Sequence, residues 1–285
     1  MQNLPPYVLI SAALTATAML WAFFVGLFTR NYSTVDRLWS VFPGVYVLVG
    51  LPWLYSSPRY LVAGAVVIAW SIRLTRNFAV KGGYRREGGR FVEEDYRWPI
   101  LKERIPNRFA FEIFNLFFIA GFQLGLVFFF SLPLYIAGAS EAALGLWDAV
   151  IFAGHILFLI LETVADEQQL KYYARRNGAS DPRLALGFNT FGLWRYSRHP
   201  NYVCEMSQWV MVSLYPLAAG LSWFPWGLAA MVLILLFIGS TNMAEGITGG
   251  KYPRYADWKK ATPSWLPFTL VFRQAARKRF WESLG

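Results

Sequence analysis

One segment of the sequence, Gly192–Glu205, gathers side chains that can do chemistry directly before an apolar stretch. It contains two arginines, a histidine, an asparagine, two tyrosines and a glutamate. Such groups are costly to bury in a membrane unless they pair with one another or bind a ligand. Arginine forks suit phosphates. The segment therefore predicts a site for a large anionic ligand at the mouth of a membrane helix.

Polar side chains also stand at the ends of other apolar stretches. Glu162, Asp166 and Gln169 share one helix face, and Asn201 is followed one turn later by Glu205. Each group alone is also explained as a solvated helix end or a simple ion pair. Together they predict one cavity open to the cytoplasm, with an apolar pocket deeper in the bundle for a lipid-like partner. The other members of this set are Asp36, Arg73, Asn77 and Glu245.

The composition predicts an all-α, polytopic integral membrane protein. The chain is 56% hydrophobic and only 15% charged, against about 25% charged residues in ordinary soluble domains. A spanning helix needs roughly 20 mostly apolar residues, and about seven stretches meet that condition within a single membrane domain, 1–285. The stretches are 6–29, 38–56, 60–79, 109–137, 144–170, 200–219 and 223–246.

The basic residues predict an orientation. The chain has 27 Lys and Arg residues against 17 acidic ones, a net charge of +10. All of the basic residues except Arg59 fall in four groups, which lie in alternate connections between the apolar stretches and in the tail. This positive-inside pattern places the N-terminus outside and the C-terminus in the cytoplasm. We expect a bacterial inner membrane or an endoplasmic reticulum membrane, with membrane lipids as partners. The four groups lie at 30–37, 73–108, 171–198 and 251–279.

Several function classes are disfavoured. The basic residues follow helix ends and form no free module, so we expect no nucleic-acid partner. Cys204 is the only cysteine, and His155 and His199 are far apart, so we expect no metal site. His155, alone on an apolar face, is interpreted as a core histidine. No Gly-x-Gly-x-x-Gly follows a strand, which excludes a Rossmann domain.

Ser197-Arg-His-Pro-Asn-Tyr202, with Glu205 after it, resembles the C-terminal domain of the steroid 5-alpha-reductase family. The chain looks closest to the bacterial branch of membrane proteins called the DUF1295 group, and the resemblance extends through most of the chain. Sterol reductases and isoprenylcysteine carboxyl methyltransferases share the Arg-His-Pro-x-Tyr element. The other matching pieces are Val35–Ser40, Trp70–Asn77, Lys81–Tyr84, Glu94–Trp98, Glu162–Gln169 and a tail with Glu245, Lys251, Tyr252, Tyr255 and Leu266–Phe268.

The resemblance implies a seven-helix reductase that uses NADPH. It assigns the C-terminal half, 144–285, to the cofactor, and the helices of 1–137, with the cytoplasmic loop 80–108, to the substrate. Carried over residue by residue, the implied cofactor-binding set comes from three parts of the chain. The set is Asp95, Tyr96 and Arg97 from the first loop; Asp166, Arg195, Tyr196, Arg198, His199, Asn201, Tyr202 and Glu205; and Glu245, Lys251 and Tyr252 from the tail.

The family reduces a carbon–carbon double bond conjugated to a ketone. Hydride goes to the β-carbon while an acid hydrogen-bonds the carbonyl oxygen, which develops enolate charge. The steroid enzymes hold that oxygen with a Gln-Glu pair in span two and a Tyr in span three, and this chain has no such pair. The nearest candidates for the catalytic role are Asp36, Arg73, Asn77 and Tyr84. An acid in an apolar pocket can stay protonated near neutral pH, so Asp36 is the candidate proton donor.

The expected function is thus an NADPH-dependent reductase of a lipophilic substrate that is steroid-like, isoprenoid or fatty. Two alternatives belong to other classes. One is a membrane methyltransferase using S-adenosylmethionine, of the isoprenylcysteine type. Those enzymes usually carry a Glu-Glu pair before the tail tyrosine, where this chain has only Glu245. The other is a non-catalytic, lipid-binding membrane protein.

Overall fold

The computed structural model describes residues 4–176 and 181–284. In this part of the chain the regular secondary structure is helical except for one short hairpin, β1 Arg86–Glu87 and β2 Arg90–Phe91. The helices are α1 Pro6–Thr29, α2 Thr34–Trp39, α3 Phe42–Leu54, α4 Pro58–Val80, α5 Arg97–Arg104, α6 Arg108–Phe114, a π-helix Asn115–Phe122, α7 Gln123–Gly138, α8 Leu146–Arg175, α9 Pro182–Ala185, a 3₁₀ helix Gly192–Arg195, α10 Pro200–Ala218, α11 Leu228–Lys251, α12 Tyr255–Ala261, a second 3₁₀ helix Pro267–Arg273 and α13 Gln274–Glu282.

The expected all-α membrane architecture is confirmed. Within the described residues, six helical segments are long and apolar enough to cross a membrane. α10 forms where the sixth span was predicted, but it is not among the six, because its first half carries Asn201, Glu205 and Gln208. The seventh span and the orientation stay predictions. The six segments are Pro6–Thr29, Thr34–Leu54, Pro58–Val80, Arg108–Gly138, Leu146–Arg175 and Leu228–Lys251.

The chain divides into two compact units. Unit 1 is Met1–Ala153 with Met211–Ala229, and unit 2 is Gly154–Val210 with Ala230–Gly285. The boundaries fall inside α8, α10 and α11. The proposed halves for substrate and cofactor stay predictions.

Buried hydroxyl groups connect the helices of unit 1. The Tyr135 hydroxyl lies 2.7 Å from Ser11 Oγ, and the Tyr46 hydroxyl lies 2.6 Å from Thr15 Oγ1. Gly50 allows α3 and α4 to approach closely, since a Cβ there would come within 2.2 Å of the Tyr60 hydroxyl. The hydroxyls thus satisfy one another where apolar helices leave few other partners.

A buried ion pair explains the one arginine outside the four basic groups. Arg59 donates from Nε to Asp148 Oδ1 at 2.6 Å and from Nη2 to Oδ2 at 2.9 Å. Both side chains are almost completely buried. Arg59 therefore fastens the start of α4 to the start of α8, which is a structural role.

The cytoplasmic tail predicted by the sequence folds in unit 2 as a small aromatic cluster. Trp258, Tyr255 and Phe280 are buried together, and the Phe188 ring stacks on Trp258 with centroids 6.2 Å apart. Gly187 permits this packing: it has φ +84°, and a Cβ would meet the Tyr252 ring at 2.0 Å. The cluster positions the Gly192–Glu205 segment beside the end of the chain.

Candidate functional site

In unit 1, Asp36 binds the loop that follows α4. Its Oδ1 accepts a hydrogen bond from Arg97 Nη2 at 2.9 Å, and its Oδ2 accepts one from Trp98 Nε1 at 2.8 Å. Arg97 Nε also donates to Asp95 Oδ1 at 2.7 Å. Each carboxylate oxygen of Asp36 thus has a partner, which favours a positioning role that fastens α5 to α2. The proton-donor role of Asp36 stays a prediction.

Arg37 follows the predicted site residue Asp36, and the sequence analysis assigned it no role in a site. Its guanidinium donates from Nε to the Gly83 carbonyl and from Nη2 to the Glu93 carbonyl, both at 2.8 Å. It also lies 4.0 Å from the centroid of the Phe91 ring. Arg37 therefore holds both ends of the hairpin loop against α2. Its position in a conspicuous polar segment beside Asp36 was the only available signal.

Tyr84 lies in the turn after α4 and is half-buried. Its hydroxyl donates to the Arg37 carbonyl at 3.0 Å. Burial raises the pKa of Tyr84 above its ordinary value. The phenol therefore keeps its proton at physiological pH and remains a hydrogen-bond donor.

Arg73 and Asn77 lie one turn apart near the end of α4, the first half-buried and the second buried. Thr75, between them in sequence, lies 2.8 Å from the Ser40 hydroxyl at the end of α2. The structure thus brings α2, α4 and the following turn into one region of unit 1. These elements carry the four predicted catalytic residues, while Tyr96 of the same unit is largely exposed.

Two acids of unit 1 were not predicted as site residues. Glu94 accepts from Lys102 Nζ at 3.0 Å and from the Tyr32 backbone N–H at 2.8 Å. Glu112 accepts from the Tyr32 hydroxyl at 2.7 Å and from Asn115 Nδ2 at 3.1 Å. Both acids connect α1 and its following turn to later helices, so their contacts are those of structural residues.

In unit 2, Arg198 is the centre of a buried network that we call the Arg198–Glu245 cluster, made of Arg198, His199, Glu245, Lys259, Thr262 and Ser264. Arg198 Nε and Nη2 lie 2.8 and 2.7 Å from Glu245 Oε1. Nη1 donates to the carbonyls of Lys259, at 3.0 Å, and Thr262. Nη2 also donates to Ser264 Oγ at 2.5 Å. All three nitrogens of the guanidinium therefore have partners within the protein.

The same cluster fixes the tail to the start of α10. His199 Nε2 lies 3.1 Å from Glu245 Oε1, and Lys259 Nζ lies 2.9 Å from Oε2. The backbone N–H groups of Arg198 and His199 donate to the carbonyls of Pro263 and Ser264 at 2.9 and 3.0 Å. Three predicted cofactor residues, Arg198, His199 and Glu245, thus make structural contacts.

A second set of polar groups lies between α8 and α10, and we call it the Asp166–Asn201 face. Asn201 Nδ2 donates to Asp166 Oδ1 at 3.3 Å, and Gln208 Nε2 donates to Glu162 Oε2 at 2.5 Å. Among the described residues, Asn201 Oδ1 and Gln208 Oε1 are buried without a hydrogen-bond partner. The polar faces predicted on α8 and α10 therefore contact each other, and the two amide oxygens remain available to a ligand. Glu205, one turn after Asn201, accepts from Trp209 Nε1 at 2.9 Å.

Arg195 and Tyr196 lie at the exposed edge of unit 2. The Arg195 guanidinium lies 4.7 Å from the Trp281 ring centroid, and Arg277 lies 5.4 Å from the Tyr196 ring centroid. Arg277 Nη1 donates to the Arg195 carbonyl at 2.9 Å. Burial, and then the nearby Arg195 charge, lower the pKa of Arg277. In the parts of the chain that the structure describes, neither arginine has a carboxylate partner. Sequence reasoning missed Arg277, although the cation-rich aromatic tail was a signal.

The remaining predicted cofactor residues differ in exposure. The Tyr202 ring stacks on His199 with centroids 5.2 Å apart and contacts Phe237 at 4.9 Å. Tyr252 is half-buried against Gly187, whereas Lys251 is exposed at the end of α11. Across residues 4–176 and 181–284, no group of three His, Cys, Asp or Glu side chains could hold a metal ion.

The fold and these sites define an all-α protein with apolar helices typical of membrane proteins. The chain belongs to the DUF1295 family, a family of proteins of unknown function whose family model matches residues 22–262. It is 34% identical over 268 residues to the Uncharacterized protein C594.04c of Schizosaccharomyces pombe, an alignment that covers 87% of this chain and 76% of that protein. No solved structure matches the chain.

Proposed function

We propose that the protein is an NADPH-dependent reductase of a conjugated carbon–carbon double bond in a lipophilic substrate. The observation that carries the proposal is the Asp166–Asn201 face. There the half-buried Asn201 amide has its Nδ2 fixed by Asp166, while its buried Oδ1 lacks a partner among the described residues. A buried acceptor of this kind is unfavourable unless a ligand donates to it. A carboxamide such as that of nicotinamide supplies matching donors.

Two arginines at the edge of unit 2 supply the second part of the fit. Arg195 and Arg277 lie together on aromatic rings, without a carboxylate partner in the described chain. Guanidinium groups bind phosphate oxygens with two parallel hydrogen bonds. Arg195, Arg277 and the exposed Lys251 would therefore hold phosphates, and Asp166 would accept hydrogen bonds from ribose hydroxyls.

The bound cofactor would supply a hydride to the β-carbon of the substrate. The protein's part is to hold the carbonyl oxygen as negative charge develops and to provide the proton that completes reduction at the α-carbon. Tyr84, which keeps its proton, would exchange its hydrogen bond to the Arg37 carbonyl for one to that oxygen, and Asn77 lies in the same region of unit 1. Asp36 and Arg97 would keep the loop around Tyr84 in position.

The test is nucleotide binding by the intact, purified protein. We expect heat-released material from the protein to contain NADP(H) by mass spectrometry, and we expect added NADPH to quench tryptophan emission saturably. S-adenosylmethionine in place of NADP(H) would instead support the methyltransferase alternative. Binding of neither compound would contradict both enzyme assignments and favour a lipid-binding role.

A further inference from the structure

The tail carries an exposed apolar segment that the aromatic cluster does not cover. The 3₁₀ helix Pro267–Arg273 exposes Phe268 by 70% and Phe272 by 86%, and Leu266 and Val271 are exposed beside them. Large apolar side chains grouped in this way mark a surface that contacts a partner or a membrane. Nothing in the proposed reductase function uses this segment.

The contacts before this helix indicate its depth. After α12 the chain turns back along α11, so that Ser264 Oγ donates to Glu245 Oε1 at 3.1 Å and Trp265 Nε1 donates to Thr241 Oγ1 at 3.3 Å. Thr241 precedes the end of α11 at Lys251 by almost three turns, or about 15 Å at a rise of 1.5 Å per residue. If α11 crosses a membrane, as its length and apolar composition allow, Leu266 lies at the level of that membrane.

The charges around the helix match an anionic lipid surface. Residues 266–284 contain four cations, Arg273, Arg277, Lys278 and Arg279, and a single acid, Glu282. Arg273 Nη1 donates to the Lys259 carbonyl at 2.7 Å, which holds the helix against α12. Lys278 and Arg279 are exposed. Aromatic side chains flanked by cations are typical of segments that lie in the headgroup region of a bilayer.

We infer that Leu266–Arg273 is an interfacial membrane anchor. Phe268, Val271 and Phe272 insert into the boundary between headgroups and acyl chains, while Lys278 and Arg279 bind the phosphates of anionic lipids. Since Trp265 is held by α11 and Arg273 by α12, the anchor fixes the aromatic cluster of unit 2 to the membrane surface. This inference is independent of the proposed function.

The depth of a spin label on the full chain tests the anchor directly. In a Cys204→Ala background, Phe272→Cys is labelled with a nitroxide and the protein is placed in nanodiscs containing phosphatidylglycerol. The matched control is Lys260→Cys, whose wild-type side chain is 73% exposed. We expect the label at 272 to collide more with oxygen than with a water-soluble nickel chelate, and the label at 260 to do the reverse. Equal nickel access at both positions would overturn the inference, and Phe268→Cys repeats the test.

Two further measurements separate the anchor from other occupants. Concentration-dependent spin broadening at 272, removed by diluting labelled with unlabelled protein, would show a second copy on this surface and overturn the inference. The label at 272 should lie deeper in discs with phosphatidylglycerol than in discs of phosphatidylcholine alone. The double substitution Lys278→Gln and Arg279→Gln should abolish that difference. Equal depths of the label at 272 in the two kinds of disc, with Lys278 and Arg279 intact, would refute the binding of anionic lipid.

Discussion

Two groups of polar residues in unit 2 lie within one short segment but have opposite characters. In the Arg198–Glu245 cluster, all three nitrogens of the guanidinium are bound to protein. In the Asp166–Asn201 face, the Oδ1 atom of Asn201, three residues after Arg198, is buried and has no hydrogen-bond partner in the described chain. A saturated network stabilises a fold, whereas an unsatisfied acceptor is available to a ligand. One conspicuous polar motif thus contains both a network bound within the protein and a buried acceptor that lacks a partner in the described chain.

The largest expected effect comes from breaking the Arg198–Glu245 cluster. Arg198→Ala leaves the buried Glu245 carboxylate without its main partner, and loss of one member of a buried ion pair destabilises a protein by about 3–5 kcal/mol. Denaturant unfolding in detergent should show this loss. Arg195→Ala, three residues away and exposed, is the matched control and should change the unfolding free energy by less than about 0.5 kcal/mol. Should Arg198→Ala fail to accumulate, Arg198→Lys should give an intermediate loss. Equal stability in all three proteins would contradict the structural role.

The sequence could not distinguish these two roles. Apolar runs of sufficient length predicted the helices. The spacing of Glu162, Asp166 and Gln169, and that of Asn201 and Glu205, predicted the polar faces of α8 and α10. The partners of Arg198, however, come from residues 245 and 259–264, and their approach depends on how the tail folds back. No local pattern encodes such a long-range pairing. For the same reason Arg37 and Arg277 were missed.

The next largest effect on stability is expected at Asp36, which extends the comparison to unit 1. Asp36→Asn removes the charge that binds Arg97, which should lower the unfolding free energy by about 2 kcal/mol, within the range for a hydrogen bond between charged groups. Arg97→Gln should have a similar effect, and the double variant should lose little more. Hydrogen exchange of residues 81–108 should rise in all three. A loss of turnover of about 10²-fold in Asp36→Asn, with normal stability and exchange, would instead establish the proton-donor role.

Arg195→Ala should weaken NADPH binding about tenfold, a smaller effect. Its guanidinium is exposed, so it contributes less than the roughly 1.5–3 kcal/mol of a well-formed hydrogen bond to a charged group. Fluorescence titration at two salt concentrations is the measurement, since an exposed phosphate contact weakens as salt rises. Arg279→Ala, in the surface tail, should leave the affinity unchanged. Equal losses in both variants would indicate general electrostatic attraction.

The smallest effect concerns Tyr84. Tyr84→Phe removes the hydrogen bond to the Arg37 carbonyl and should cost about 1 kcal/mol of unfolding free energy. Because burial raises the Tyr84 pKa in the folded state, the folded protein binds this proton more tightly than the unfolded chain. That contribution is fully present below the ordinary tyrosine pKa of about 10 and is lost as the pH rises further. Unfolding measured between pH 8 and 11 should show a steeper alkaline decline in the unsubstituted protein than in Tyr84→Phe. Parallel curves would contradict this assignment.

The most direct test of the account is an NADPH titration of Asn201→Ala, measured together with its unfolding. We expect NADPH affinity to fall by about 1–3 kcal/mol, the cost of leaving a buried polar group without its hydrogen-bond partner. We also expect a much smaller change in stability than in Arg198→Ala. Unchanged NADPH affinity in Asn201→Ala, or a loss of stability as large as that of Arg198→Ala, would contradict the division of this motif into a structural cluster and a cofactor face.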